Sequence, residues 1–318
     1  MALGVCAPWL AGIAAGHAVH GSIASFGAYL LTVSFPHLPA SGRVRILLVS
    51  CLAISLLATV GGSVALGSVA FFVLALAAAM AQGVGEVSGG YFRLPVALGT
   101  LAFFLSVGEV PAGEELVYGG TFLAGTLWGA MFVFFCIPSD TGAATGPRPP
   151  LLKDAAQRRF LAGIASVSML GSIAACFSPG THPCWLTAAG LRVMKPTRQE
   201  TIYRMKTRGL GTILGAATGG LLLGLSPIPW LHAAMVGVLV LCMLLIGAKR
   251  YGLWTFCLTA IALAFNLSPE AGALDMASSR VLLTVVGIGI AVLMLPLLPL
   301  MPKAGSNARP SPPPDTTT

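Results

Sequence analysis

Residues 182–224 read HPCWLTAAGLRVMKPTRQETIYRMKTRGLGTILGAATGGLLLG. A short apolar piece containing Trp185 leads into a strongly basic, amphipathic stretch. A glycine-rich span follows, opening with Arg208, Thr212 and Gly215. Cations massed at the edge of an apolar run mark the cytoplasmic end of a membrane span. The rest of the 318 residues fits that reading, since 56% are apolar and only 9% charged. Soluble domains carry roughly 25% charged residues. So few charges cannot clothe a chain of this size in water, which excludes soluble-enzyme and nucleic-acid-binding classes.

Outward from this stretch, apolar runs recur at approximately 3–16, 20–35, 44–62, 64–82, 92–107 and 117–138. Six more follow at approximately 159–177, 183–194, 208–225, 229–247, 251–267 and 276–300. Spans need roughly 20 residues each, so twelve would use about 240. The expected fold is all-α, a polytopic membrane protein of about twelve helices in two parallel six-helix halves. The expected organisation is an N-terminal half at 1–138, a cytoplasmic linker at 139–157, a C-terminal half at 158–301 and a disordered tail at 302–318. With the N-terminus in the cytoplasm and every run crossing once, 17 of the 18 Lys and Arg fall on the inner side. Only Arg280 lies outside, together with Glu109, Glu114, Glu115, Glu270 and Asp275. That asymmetry is the positive-inside pattern, and adding or dropping one span destroys it. The first run starts at Met1 without a basic flank, which predicts a shortened first helix rather than a cleaved signal peptide.

The halves share short words. His20 precedes Gly27, a short helix and Arg43; His182 precedes Trp185, Gly190 and a basic stretch. Run six contains Gly125-Thr126-Leu127-Trp128-Gly129-Ala130, and run nine contains Gly211-Thr212-Ile213-Leu214-Gly215-Ala216. Duplicated halves of this kind place a transport path near their interface.

The spacing Arg208-x3-Thr212-x2-Gly215 recurs as Arg280-x3-Thr284-x2-Gly287. Positions i, i+4 and i+7 share one helix face. Each set therefore presents a guanidinium, a hydroxyl one turn deeper and a small residue for close approach. Two readings compete: both arginines face a polar path and hold an anion, or both snorkel to lipid phosphates. For Arg208 the cluster of basic residues before it favours snorkelling. Arg280 departs from the charge asymmetry, and Asp275 or Glu270 is its expected partner if its role is structural. Gly211, Gly215 and Gly219, and separately Gly125 and Gly129, are spaced for close helix packing. Trp185, Trp230 and Trp254 suit an interfacial aromatic belt, with Trp185 also placed to stack on an aromatic substrate. His17, His20 and His182 lie near the outer surface, and His20 and His182 are candidates for a proton relay. No acidic residue falls at a span centre; Glu86 is the nearest. The seven cysteines show no paired spacing and read as small buried hydrophobes. No metal site, cofactor site or enzyme signature is visible.

The segment from His182 to Phe265 resembles the fusaric acid resistance protein-like family, also called the aromatic acid exporter group. The resemblance rests on HPCWLTAAGLRVMKP, on RMKTRGLGTILGAATGGLL, on Tyr251-Gly252-Leu253 and on the closing Arg280, Thr284 and Gly287. Residues 20–66 look like its N-terminal partner half. The resemblance implies a bacterial inner-membrane exporter of small organic anions, the aromatic carboxylates or related anions. It is also similar to plant malate channels, which pass anions along a path lined by basic residues and assemble as dimers. By that analogy Arg208 and Arg280 are anion ligands, with Thr212 and Thr284 as hydroxyl donors. The linker of about 19 residues departs from longer relatives, which carry a cytoplasmic helical domain there. The expected partners are a small organic anion, membrane lipids, a second copy of the chain and a periplasmic adaptor, with no nucleic acid. The alternatives are a passive anion channel and a non-transporting membrane scaffold.

Overall fold

The computed structural model describes residues 1–35, 38–39, 41–140, 155–178, 182–225, 228–246, 250–265 and 272–298. The expectations for 302–318 and for most of 139–157 lie outside these residues. The fold is all-α, with twelve helices among the described residues. They are α1 (Ala2–Ala14), α2 (Ala18–Ser34), α3 (Arg43–Gly62), α4 (Val69–Ser88), α5 (Arg93–Ser106) and α6 (Glu115–Cys136). The second six are α7 (Ala155–Cys176), α8 (Trp185–Val193), α9 (Arg198–Leu225), α10 (Pro229–Ile246), α11 (Tyr251–Phe265) and α12 (Ala273–Leu293). Two short strands, β1 (Leu38–Pro39) and β2 (Ser139–Asp140), pair in parallel.

Local chemistry sets several of the boundaries. The Ser68 side chain accepts a hydrogen bond from the Phe71 N–H at 3.1 Å and caps α4, satisfying one of the free donors of the first turn. Two consecutive glycines, Gly89 and Gly90, hold positive φ and end it. Within the helices, hydroxyls turn back on their own backbone, as Ser50 does to Ile46 O (2.7 Å) and Ser106 to Ala102 O (2.8 Å). Such back-bonding lets a hydroxyl sit in an apolar setting without an external partner.

Hydroxyl-bearing side chains are buried among the apolar core, while large apolar side chains cover much of the outside. Ser25, Thr32, Ser55, Thr126, Ser168 and Thr259 are buried, whereas Leu48, Leu52 and Leu56 form an exposed stripe along α3. Val238, Leu241 and Leu245 do the same on α10. Five helical segments, Arg43–Gly62, Val69–Ser88, Glu115–Cys136, Ala155–Cys176 and Leu274–Leu297, are long and apolar enough to cross a membrane. This is a multi-pass membrane protein. Interhelical hydrogen bonds tie the bundle, including Thr100 Oγ1 to Ala78 O (2.9 Å), Ser168 Oγ to Ala75 O (3.1 Å) and Ser55 to Thr126 (3.0 Å). Each contributes about 0.6 kcal/mol in a membrane setting.

The packing repeats with a period of six helices. α1 packs on α2 as α7 packs on α8, and α2 on α6 as α8 on α12. α3 meets α5 and α6 as α9 meets α11 and α12, and α4 meets α5 as α10 meets α11. The two sixes touch along α4–α7 and α10–α1. His20 and His182 thus fall at the starts of corresponding helices, α2 and α8. The shared words in α6 and α9 do not correspond in this way, because α6 packs like α12 and α9 packs like α3. In a chain this rich in Gly, Ala and Leu the match of those words reflects composition.

Candidate functional site between two cavities

α9 lies between α11 and α12, and α12 also packs on α8. This places both Arg-Thr-Gly stripes inside the C-terminal six helices. Arg208 is 3% exposed and Arg280 4%, with Thr212 and Thr284 at 1%. Neither guanidinium snorkels. α9 begins at Arg198, so Arg208 stands in the third turn of a 28-residue helix rather than at its end. The basic stretch read as a flank is itself helical, and that shift carries Arg208 inward.

No acidic group forms an ion pair with Arg208 or Arg280 among the described residues. Asp275, expected beside Arg280, is exposed, and Glu270 lies outside the described residues. Nε and Nη1 of Arg208, Nε of Arg280 and the hydroxyls of Thr212 and Thr284 lack hydrogen-bond partners among the described residues. The buried hydroxyls of Thr187, Tyr251 and Thr255 are in the same position. The two guanidiniums are near enough to repel each other. Burying one unpaired charge costs several kcal/mol, so a pair of like charges is an expensive arrangement. In membrane proteins such residues mark ion and substrate paths.

What Arg280 does have is an aromatic face. Its guanidinium carbon lies 4.0 Å from the centre of the Trp185 ring. His182 stacks beside Trp185, with ring centres 4.7 Å apart and planes 11° from parallel. His182 Nδ1 lies 2.6 Å from Glu109 Oε1. His182 is also the one non-glycine residue at positive φ among the described residues, at 56°. Strained backbone held by packing and an ion pair is common at functional sites.

Two cavities open at opposite ends of the same helices. The first, about 350 Å³, is lined at the start of α2 by His20, near α5 by Glu109, at the start of α6 by Glu114 and Tyr118, and by His182 and Trp185. The second, about 380 Å³, is lined by Arg93, Arg192, Lys195, Arg204 and Tyr251, with Glu86 as its acidic member. The acidic cavity reaches Trp185, on which Arg280 stacks. The basic cavity reaches Tyr251, whose hydroxyl adjoins Arg208. Trp185 with Arg280, and Tyr251 with Arg208, thus stand between the cavities, the two guanidiniums close enough to repel each other.

At the basic cavity Lys195 and Arg93 both hold the Glu86 carboxylate, Arg93 at 2.8 Å. Lys195 lies in the connection between α8 and α9. Burial pushes its ammonium down to about 8, while Glu86 opposes the fall. Arg204 stacks on Tyr251 at 4.5 Å and pairs with Glu200 at 3.3 Å. Gln82 of α4 donates to Leu191 O at 3.1 Å and anchors the end of α8.

Of the residues singled out from the sequence, Arg208, Thr212, Arg280, Thr284 and Trp185 come together. His20 and His182 line the acidic cavity, and His17 meets His20 edge to face at 6.0 Å. Gly211, Gly215 and Gly219 lie against Gly252, Phe256 and Ala260 of α11, and Gly125 and Gly129 against Ala24 and Ala28 of α2. Trp254 lines the basic cavity. Four cysteines, Cys6, Cys51, Cys184 and Cys257, are buried, whereas Cys136 and Cys242 are exposed. Sequence reading missed Tyr251 and Thr255, whose only signal is their i, i+4 spacing on α11. It also missed Arg192, Lys195 and Arg204 as a cavity, since they read equally well as topology signals.

No curated protein and no solved structure matches the chain. Residues 166–294, the segment carrying Trp185, both buried arginines and the α9–α12 face, match the fusaric acid resistance protein-like family.

Proposed function

We propose that this membrane protein exports small organic anions, of the aromatic carboxylate class, across the bacterial inner membrane. The observation that carries this reading is the pair Arg208 and Arg280, buried without an acidic partner and standing between two cavities. A carboxylate entering between them supplies the missing countercharge, and Thr212 and Thr284 offer hydroxyls one turn away. Guanidinium pairs well with a planar carboxylate. Trp185 gives an aromatic body a surface to stack on.

The direction follows from charge. The positive-inside rule puts the basic cavity on the cytoplasmic side, where it gathers anions. The acidic cavity then faces outward and repels them, favouring release. In this reading all twelve helices cross, in two parallel halves, with both termini cytoplasmic. α8 has nine residues, about 13 Å at 1.5 Å per residue, well short of a bilayer core. It has only to join two cavities that cut in from both sides, with Trp185 at one end and Arg192 at the other.

A channel is the second reading, favoured by Glu86: the carboxylate nearest a span centre is held by two cations, and no acid stands beside the arginine pair to carry a proton. The deciding experiment is uptake of labelled benzoate into proteoliposomes with and without an imposed pH gradient. Accumulation above equilibrium, lost in the R208Q/R280Q variant, is the expected result. Equilibration without accumulation selects the channel. No flux from folded protein selects a scaffold that docks a partner or lipid on its basic face, and flux unchanged in the double variant removes these arginines from the path.

A further inference from the structure

The basic cavity contains four cations, and they are not equivalent. Arg93 donates to Glu86 through Nε (3.0 Å) and Nη2 (2.8 Å). Lys195 takes the other Glu86 oxygen. The Glu86 side chain is 4% exposed, so both of its oxygens are committed. Arg204 is shared between Glu200 and the Tyr251 face. Arg192 has no ion pair or hydrogen bond among the described residues. Tyr251, Arg208, Arg204 and, least of the four, Glu86 act on its charge.

The remaining walls are mostly apolar, with Phe35, Leu94, Leu98, Met243 and Trp254 among them and Thr32 and Gln82 as polar members. The volume, about 380 Å³, lies within the roughly 300–1,000 Å³ range of small-molecule sites. An occupant therefore meets one uncommitted guanidinium at one end and an aromatic and aliphatic wall beside it. A second carboxylate on the same molecule meets either that wall or the Glu86 carboxylate. An uncompensated charge on an apolar wall is strongly disfavoured, and a like charge beside Glu86 is repelled.

We propose that the basic cavity is a second anion site, selective for monocarboxylates with an aromatic or apolar body, in which Arg192 binds the carboxylate and Glu86 excludes dicarboxylates. Glu86 does so by occupying Lys195 and Arg93, which leaves a single cation for the ligand. This site adjoins Arg208 through Tyr251, but neither Arg208 nor Arg280 lines its cavity. It deepens the transport reading by serving as its loading step, and it is tested by binding, so the two fail separately.

The test is calorimetric binding of benzoate and phthalate to the purified full chain in detergent. Wild type binds benzoate in preference to phthalate. R192Q weakens benzoate by about tenfold or more, the loss of one charge-assisted pair. E86Q, which frees Lys195 and Arg93, shifts the preference toward phthalate by about tenfold on the same grounds. Benzoate affinity unchanged in R192Q, or an unchanged preference in E86Q, overturns the proposal. Should either variant fail to fold, 4-nitrobenzoate serves as a quenching probe of tryptophan emission in the wild type. W254F removes the high-affinity part of that quench; a quench left intact in W254F puts the ligand elsewhere and overturns the proposal. Binding that depends on Arg192, with no flux in proteoliposomes, leaves this site standing and removes the transport reading alone.

Discussion

Arg280 is held by geometry as well as by charge. Its guanidinium plane rests on Trp185 at 4.0 Å, and a lysine ammonium, being a strongly hydrated point charge, cannot reproduce that stacking. R280K therefore keeps the charge but loses the planar stacking and with it part of a cation–π contact worth about 2 kcal/mol when desolvated. The expected result is a loss of roughly tenfold or more in benzoate flux at limiting substrate, with little change in folding. Flux equal to wild type in R280K would show that charge alone matters. W185F, which keeps an aromatic face, is expected to fall between R280K and wild type in the same assay. At this scale the sequence was legible for the Arg-Thr-Gly stripes, because i, i+4, i+7 spacing is purely local. It was not legible for the burial of Arg208. A basic residue preceded by five others looks like a flank, and only the continuation of α9 from Arg198 through Leu225 moves it inside.

At the scale of elements, the glycines of α9 and α12 hold two helix crossings close together. A Cβ on Gly211 would stand 2.6 Å from Gly252 O, and one on Gly287 would press on the Leu186 carbonyl and lie 3.1 Å from Gly190 N. Neither neighbour is a flexible side chain, so the helices themselves must part. G211V and G287V are each expected to destabilise by about 1–3 kcal/mol, the usual cost of overpacking. Gly289, two residues further along α12, is exposed and would bring a Cβ near nothing within 4 Å. G289A is expected to be neutral or to stabilise by up to about 1 kcal/mol through better helix propensity. Thermal unfolding in detergent separates these cases, and equal effects at Gly211 and Gly289 would contradict the packing account. Helices were legible here from apolar run length, and runs 183–194 and 208–225 end within a residue of α8 and α9. The start of α9 was not legible, because it begins at Arg198 in a polar, basic stretch rather than where apolar residues begin. The break between the two helices falls around Lys195-Pro196, where Pro196 lacks an N–H and biases the residue before it away from helix.

On the scale of the whole molecule, the two cavities and the contacts between them make a claim about access. The acidic cavity includes Val19 and the basic cavity includes Leu94, two residues that hold no ion pair and carry no proposed chemistry. The packing repeat of six helices places both cavities on the same helices, so a single orientation in the bilayer sends one to each side. In the proposed orientation the basic side is cytoplasmic. In a background with all seven native cysteines replaced, V19C and L94C are therefore expected to react with a membrane-impermeant maleimide from opposite sides. V19C reacts in intact cells, and L94C only after the cytoplasmic face is exposed. Labelling of both from one side would refute the orientation and with it the inference that anions load at Arg192. The same pair also separates a gated transporter from an open pore. Trp185, Arg280, Arg208 and Tyr251 lie between the cavities, so in the transporter an outside reagent stops at Trp185 and leaves L94C unmodified. A continuously open channel wide enough for the reagent lets it reach L94C from outside, at a rate that falls when benzoate occupies the path.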